Sequence, residues 1–134
     1  MSPHDILETC LCVDDLQAAE QFYRSVLGLE FDARQPGRHV FLRLGWRMFL
    51  LFNAEESSKP QGGFPPHGTH GQGHVCFACR EDEIDAWLER LRSLNVAIEH
   101  IHTWPGGSRS IYFRDPAGNS VELASPAIWG LPEE

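Results

Sequence analysis

The sequence is poor in basic residues. Eleven Lys and Arg stand against nineteen Asp and Glu, which gives a formal net charge of −8 at pH 7. This balance excludes a typical nucleic-acid binder, because neutralising a phosphate backbone needs a basic face, and it argues equally against a patch for anionic membranes. Long apolar runs are also missing. The longest covers residues 48–52, far short of the ~20 residues of a membrane-spanning helix. With no basic and apolar leader at residues 1–5, we expect one cytoplasmic domain.

Four cysteines occur as two close pairs, Cys10 with Cys12 and Cys76 with Cys79. Such pairs are compatible with a four-thiolate zinc site or with small, reduced, apolar side chains. Both segments have the apolar character of strands, and strand alternation places Cys76 and Cys79 on opposite faces. Four converging thiolates are then difficult to build, so the pattern favours free thiols.

Two amphipathic helices are predicted. The first begins after its cap Asp15 and ends at Gly28, and the second opens at Glu81 and ends at Asn95, a residue that tolerates the left-handed conformation. Alternating apolar positions predict strands around both helices. These strands cover residues 6–13, 29–34, 39–44, 48–52, 74–79, 96–102, 109–114 and 120–124.

The two halves of the chain repeat one another. Each half is predicted as strand, helix and three further strands, an α+β arrangement in which two βαβββ modules pair as a half-barrel around a cleft. One domain, 1–134, then contains module one (4–54), a loop or linker rich in Gly and Pro (55–72), module two (73–125) and a C-terminal tail (126–134).

Strand alternation separates a helix-facing side of each sheet from an open side. The more apolar positions are expected to face the helices; they are Leu7, Leu11, Val13, Val75, Phe77, Val121 and Leu123. The open side then carries Glu8, His74 and Glu122, each on a different strand. Two carboxylates and one imidazole form a plausible ligand set for a divalent cation. Glu8 and His74 are also compatible with ordinary surface positions, but their matching places in the two repeats favour a site.

Three segments carry a resemblance to a known family. They are residues 13–29, with Val-Asp-Asp-Leu, Phe-Tyr and Leu-Gly-Leu; residues 73–77, Gly-His-Val-Cys-Phe; and residues 112–123, which contain Asp-Pro-Ala-Gly-Asn-Ser-Val-Glu-Leu. In these segments the chain resembles the vicinal oxygen chelate superfamily of glyoxalases, bleomycin-resistance proteins, fosfomycin-resistance enzymes and extradiol dioxygenases. The resemblance implies a glyoxalase/bleomycin resistance/dioxygenase fold. Its metal-binding positions map to Glu8, His74 and Glu122.

Differences between this chain and individual members of the family narrow the range of expected functions. Glyoxalase I enzymes take a fourth ligand from strand four, where residues 48–52 offer no donor. The fosfomycin enzymes resemble this chain at Ser110 and Tyr112, but have Lys where His102 stands, which disfavours a phosphonate substrate. Bleomycin-type binders lack the metal triad, whereas this chain has all three residues.

Further residues are candidates for substrate contact. Arg109 is the best candidate to hold a substrate carboxylate, although a surface Arg is a simpler interpretation. His67 lies with His70 in the loop before strand five and is a candidate to close over a substrate, or belongs to a disordered surface loop. Cys10 belongs to the open sheet face, as do His102 and Ser110.

We therefore expect a metal-dependent enzyme that acts on a small molecule with vicinal oxygens. Its reaction class lies between a ring-cleaving dioxygenase and a glyoxalase-like lyase or isomerase. Glu8, Glu122 and Tyr112 are the predicted catalytic residues, and the metal is Fe, Mn, Ni, Zn or Mg. The alternative is a non-catalytic binding protein of the bleomycin-resistance type. Members of the superfamily commonly dimerise, so a homodimer is expected, with intrachain or exchanged module pairing both open.

Overall fold

The computed structural model describes residues 1–133 and divides into two compact units, Met1–Gly73 and a second that begins at His74. The first unit contains one sheet, a long helix and a short helix. In chain order these are β1 (Glu8–Val13), α1 (Leu16–Leu27), β2 (Glu30–Gln35), β3 (His39–Leu44), β4 (Arg47–Asn53) and α2 (Ala54–Ser57). The strand order is β1-β4-β3-β2, with β1 parallel to β4 and the other pairs antiparallel.

The second unit repeats this order. It contains β5 (His74–Ala78), a 3-10 turn (Glu81–Glu83), α3 (Ile84–Ser93), β6 (Ile98–Thr103), β7 (Arg109–Arg114), β8 (Ser120–Ala124) and a second 3-10 turn (Pro126–Trp129). Its strand order, β5-β8-β7-β6, is that of the first unit. The predicted α+β fold of two βαβββ modules is confirmed. In the described residues, no helix is long and apolar enough to span a membrane.

Local sequence signals account for both long helices. The Asp15 carboxylate caps α1 by accepting from the Ala18 N–H, and Gly28 ends the helix with φ 73°. Asn95 follows α3 with φ 58°, as its predicted left-handed role requires. The start of α3 differs from the prediction, because Glu81–Glu83 forms a 3-10 turn before the α-helix proper.

Each unit has its core between helix and sheet. Most of the predicted helix-facing strand positions are buried, including Leu11, Val13, Phe77 and Leu123, and each large side chain so buried contributes ~1.5–3 kcal/mol. Leu7 is a correction, because it precedes β1 and is 69% exposed. The prediction extended the apolar pattern beyond the point where strand pairing begins.

The turn between β7 and β8 depends on one buried carboxylate. Asp115 is 4% exposed, and its Oδ1 accepts from the backbone N–H groups of Ala117 and Asn119, both at 2.9 Å. Its Oδ2 accepts from Nδ2 of Asn119 at 3.0 Å. The turn therefore holds β8 in register with β7, and so positions the residues of β8.

Asp115→Ala is expected to lower the free energy of unfolding by about 3 kcal/mol, because buried donors lose their acceptor. Urea denaturation followed by circular dichroism measures the change. Asp82→Ala is the matched control, since that carboxylate is 66% exposed and bonds the neighbouring Arg80; we expect no measurable change there. Equal stability of the Asp115 variant and the wild type would contradict the assigned role.

Candidate functional site

Two predicted metal ligands meet on the open face of the second sheet. His74 begins β5 opposite Ser120, and Glu122 lies opposite Cys76 in the parallel β5–β8 pair. His74 Nε2 is 3.3 Å from Glu122 Oε2. The His74 side chain is 51% exposed, while that of Glu122 is 8% exposed. The pair is thus a buried carboxylate with an accessible imidazole at its edge.

The hydrogen bond on the other side of the His74 ring determines which ring nitrogen is available to bind a metal ion. Nδ1 lies 3.2 Å from the Ser120 carbonyl oxygen, which can only accept, so Nδ1 carries the proton. In the neutral ring Nε2 then presents a lone pair toward Glu122. A lone pair and a carboxylate at 3.3 Å need a positive centre between them, either a proton on Nε2 or a metal ion. A carbonyl that orients the ring is the usual outer support of a histidine ligand.

The second carboxylate oxygen of Glu122 gives an independent indication. Among the described residues, Glu122 Oε1 is buried and has no hydrogen-bond partner. Leaving such an oxygen unpaired costs ~1–3 kcal/mol, and more for a charged group. A divalent cation would satisfy both this oxygen and the His74 lone pair, so the residues present fit a metal ion of the kind that binds nitrogen and oxygen ligands.

Two neutral donors lie beside Glu122. The sheet register places Tyr112 opposite Glu122 on one side and Cys76 on the other. Burial and the Glu122 charge raise the pKa of Cys76 to about 12, and burial followed by the same carboxylate raises the pKa of Tyr112. Both groups keep their protons at neutral pH. In the metal-free protein Cys76 is therefore a neutral thiol, and Tyr112 is a proton donor.

Two predicted substrate residues, His102 and Ser110, lie opposite one another on the same sheet face, two residues along the strands from the His100–Tyr112 pair. Ser110 is fully buried, and its Oγ accepts from Nε1 of Trp104 at 2.9 Å. The Trp104 ring also contacts His102, with ring centroids 4.4 Å apart. Ser110 therefore positions Trp104, and His102 is the more available of the two for a ligand. His100 lies beside Tyr112 and is closer to Glu122 than His102 is.

Arg109 lies apart from this face. Its Nη1 is 2.8 Å from Asp85 Oδ1 and its Nε is 3.3 Å from Glu81 Oε1. Strand alternation points it to the opposite side of β7 from Ser110. The structure does not bring Arg109 together with His74 and Glu122, because carboxylates at the start of the second helical segment hold its guanidinium.

The remaining predicted residues belong to the first unit. Glu8 begins β1 opposite Met48 and is exposed, and Cys10 follows on the same face opposite Leu50. Burial, then Cys12, then Glu8 raise the pKa of Cys10. On this face β4 presents Met48, Leu50 and Phe52, none of which is an oxygen or nitrogen donor. Within residues 1–133, no group of three or more His, Cys, Asp or Glu side chains is placed to hold a metal ion, so Glu8 as third ligand stays a prediction.

The loop before β5 is more structured than the sequence indicated. It contains α2, which the sequence analysis missed, and the His67 N–H donates to the Ser57 carbonyl oxygen at 2.9 Å. The His67 ring contacts Phe52, with centroids 4.4 Å apart. His70 lies further along the loop and is exposed. The sequence analysis also missed His39 and Phe41, whose rings lie near Phe52; alternation along β3 was the available signal.

Comparisons with known proteins agree on one family. A family model described as the Glyoxalase/Bleomycin resistance protein/Dioxygenase superfamily matches residues 5–123. The crystal structure of lactoylglutathione lyase from Agrobacterium tumefaciens is 48% identical, with a TM-score of 0.94, over 98% of this chain and 100% of that one. The metallothiol transferase FosB of Staphylococcus epidermidis is 29% identical over 85% of this chain and 76% of its own length. The fosfomycin resistance protein FosX of Listeria monocytogenes is 29% identical, with 84% and 83% covered.

Proposed function

We propose that this chain, which belongs to the glyoxalase/bleomycin resistance protein/dioxygenase superfamily, is a divalent-metal-dependent enzyme acting on a small molecule with vicinal oxygens. The observation that carries the proposal is the His74–Glu122 pair. Nε2 of the imidazole lies 3.3 Å from one carboxylate oxygen, and the other carboxylate oxygen is buried without a hydrogen-bond partner among the described residues. We assign His74 and Glu122 as two metal ligands and Glu8 as the third.

The donor set leaves room for substrate. With no donor from the open face of β4, three protein ligands leave coordination positions for a bidentate substrate and water. A bound divalent cation would polarise the two substrate oxygens and stabilise negative charge that develops on them. This three-ligand set departs from the four ligands that the sequence resemblance attributes to glyoxalase I.

The chain's own residues supply the proton chemistry. Tyr112 keeps its proton at neutral pH and lies next to Glu122, so we assign it to donate a hydrogen bond or a proton to a substrate oxygen. Glu8 is exposed whereas Glu122 is 8% exposed. The more mobile carboxylate is better placed to leave the metal and accept a proton, so we assign the general base to Glu8.

The relatives favour one end of the predicted range of reactions. The names of two of them, a metallothiol transferase and a lactoylglutathione lyase, both involve a thiol compound. We therefore favour a lyase or isomerase reaction on a thiol adduct over ring-cleaving dioxygenation. The relatives FosB and FosX bring a phosphonate substrate back into consideration, but His102 still stands where the sequence resemblance expects a lysine.

Metal content and turnover test the proposal. Protein purified without chelators is expected to contain about one divalent cation per chain, and the metal-loaded form is expected to convert the hemithioacetal of methylglyoxal and glutathione to a thioester, followed by ultraviolet absorbance. EDTA treatment is expected to abolish turnover, and the same cation should restore it. Catechol with dissolved oxygen is the competing substrate.

Each other outcome counts against a specific part of the proposal. Absence of a stoichiometric cation contradicts the metal site. A metal-loaded protein that cleaves catechol and leaves the hemithioacetal unchanged contradicts the lyase assignment. Ligand binding that survives EDTA, without turnover of any substrate, supports the alternative function of sequestration.

A further inference from the structure

Four aromatic rings cluster on the open face of the first sheet, at the end away from Glu8. This aromatic cluster consists of His39, Phe41, Phe52 and His67. His39 stacks on Phe41 with centroids 4.0 Å apart and planes 4° from parallel. Phe41 and His67 each meet Phe52 edge-on, at 5.9 Å and 4.4 Å. The 5.9 Å contact lies within the ~4.5–7 Å typical of aromatic pairs, and the other two contacts are closer.

The fold of the first unit does not require these rings. The helix-facing side of β3 and β4 already provides a well-buried core, in which Leu42 and Leu51 have no exposed surface and Phe49 is 2% exposed. The three rings of the cluster that lie on strands are only half-buried, and His67 is exposed. An exposed group of aromatic surfaces on a sheet face marks a candidate binding surface.

The side chains next to the cluster are short. In the strand order β1-β4-β3-β2, the row of residues across the sheet that contains Phe41 ends in Cys10 on one side and Ala33 on the other. Both end residues are exposed. Ala33, directly next to Phe41 in this row, leaves space for another flat group on the β2 side of the ring, whereas Leu50 lies between Phe41 and Cys10.

His67 is held in place by the loop that carries it. Its backbone donates to Ser57, and the next residue, Gly68, packs so closely that a Cβ there would lie 2.4 Å from the Ala54 carbonyl oxygen. Any larger residue would push the loop away. The Thr69 N–H donates to Cys12 Sγ at 3.5 Å and attaches the loop to β1 as well. The cluster is thus preorganised, which lowers the entropic cost of binding.

The cluster also favours a ligand group that carries no charge. Burial, followed by the nearby Arg38 charge, lowers the pKa of His39, so that ring is uncharged at neutral pH. The Arg38 guanidinium donates to the backbone carbonyl oxygens of Glu56 and Lys59. That cation is therefore engaged by the α2 segment.

We propose that the aromatic cluster binds a flat, aromatic arm of the substrate whose vicinal oxygens are held at the Glu8 end of the same sheet. The inference rests on the proposed function. Along β4 the row of Phe41 lies two residues from that of Glu8, and the row of His39 lies four residues away. At ~3.3 Å per residue along the strand and ~4.8 Å for each of the two strand steps from β1 to β3, the backbone separations are about 12 and 16 Å. The favoured substrates are therefore compounds in which a chain joins an aryl group to the vicinal oxygens.

A matched pair of 2-oxo acids tests the subsite. Isothermal titration of the Zn²⁺-loaded protein compares 4-phenyl-2-oxobutanoate with 2-oxobutanoate, which has the same vicinal oxygens and no ring. We expect the phenyl compound to bind about 10-fold more tightly, as stacking and apolar burial predict. In Phe41→Leu the preference is expected to fall to about 3-fold or less.

Phe31→Leu is the matched control, because it is the same substitution on the neighbouring strand. The Phe31 ring is covered by Arg34, whose Cζ lies 4.3 Å from the ring centroid. The control is expected to keep the full preference. Equal affinities for the two acids, or an equal loss in both variants, would overturn the subsite.

Failure of the metal site has a different signature. In metal-free protein, 4-phenylbutanoate lacks vicinal oxygens and is expected to shift the ring NMR signals of His39 and His67, while His100, on the other unit, is unchanged. These shifts in a protein that binds no cation would support the aromatic subsite and contradict the proposed function. Cation binding without these NMR shifts and without a preference for the phenyl compound would support the proposed function and contradict the aromatic subsite.

Discussion

His74→Ala is expected to weaken Zn²⁺ or Mn²⁺ binding by more than about 100-fold. Loss of an outer-shell partner alone costs about 10–100-fold in metal affinity, and removal of a ligand costs more. The imidazole supplies the nitrogen ligand, with Nδ1 already committed to the Ser120 carbonyl and Nε2 directed at Glu122. Isothermal titration of chelator-treated protein measures the affinity, and bound metal after dialysis gives a second measurement.

His100→Ala is the matched control for this prediction. His100 lies on the same sheet, its ring centroid is 6.0 Å from that of Tyr112, and it has no assigned role at the metal. We expect the control to keep the wild-type affinity within about 3-fold. If both variants lost the same affinity, the effect would come from the general histidine content of the sheet, and His74 would not be a specific ligand.

Glu122→Gln separates ligation from stability. The variant is expected to lose metal affinity, yet its metal-free form should be about 1 kcal/mol more stable than the wild type, because it removes a buried charge with an unpartnered oxygen. The contact with the half-exposed His74 contributes less than this. Urea denaturation of the metal-free proteins measures the difference. A destabilised variant would mean that Glu122 is a structural partner of His74.

The sequence predicted elements whose signals are local. Asp15, Gly28 and Asn95 act on their own backbone, so their positions define helix ends without knowledge of the rest of the chain. The repeat then predicted two βαβββ modules, and strand alternation placed His74 and Glu122 on the open face of different strands. The adjacency of these two strands, β5 and β8, comes from the structure.

Features that depend on tertiary contacts were not predictable in this way. Leu7 continues an apolar alternation and its carbonyl oxygen accepts from the Met48 N–H of β4, but it precedes β1 and stays 69% exposed. The four residues of α2 are too few to show a helical period. The contact of His67 with Phe52 depends on a loop docked through Gly68. The depth of Glu122 follows from its neighbours Tyr112 and Cys76, which only the sheet register identifies.

Mixing two inactive variants is expected to reveal which copy supplies Glu8. Under the proposed function, Glu8→Ala and His74→Ala each lack one of three ligands, so each alone is expected to bind no stoichiometric metal. If dimers exchange modules, a mixed dimer contains one site with both substitutions and one intact site. Unfolding and refolding an equal mixture gives half mixed dimers, so about a quarter of the wild-type sites should return.

Intrachain pairing predicts a different result, because every chain in the mixture then carries a defective site and metal content stays near zero. A mixture of Glu8→Ala with Glu8→Ala,His74→Ala is the control, since it contains no intact Glu8 in any combination. Recovery in that control would show that Glu8 is not a ligand.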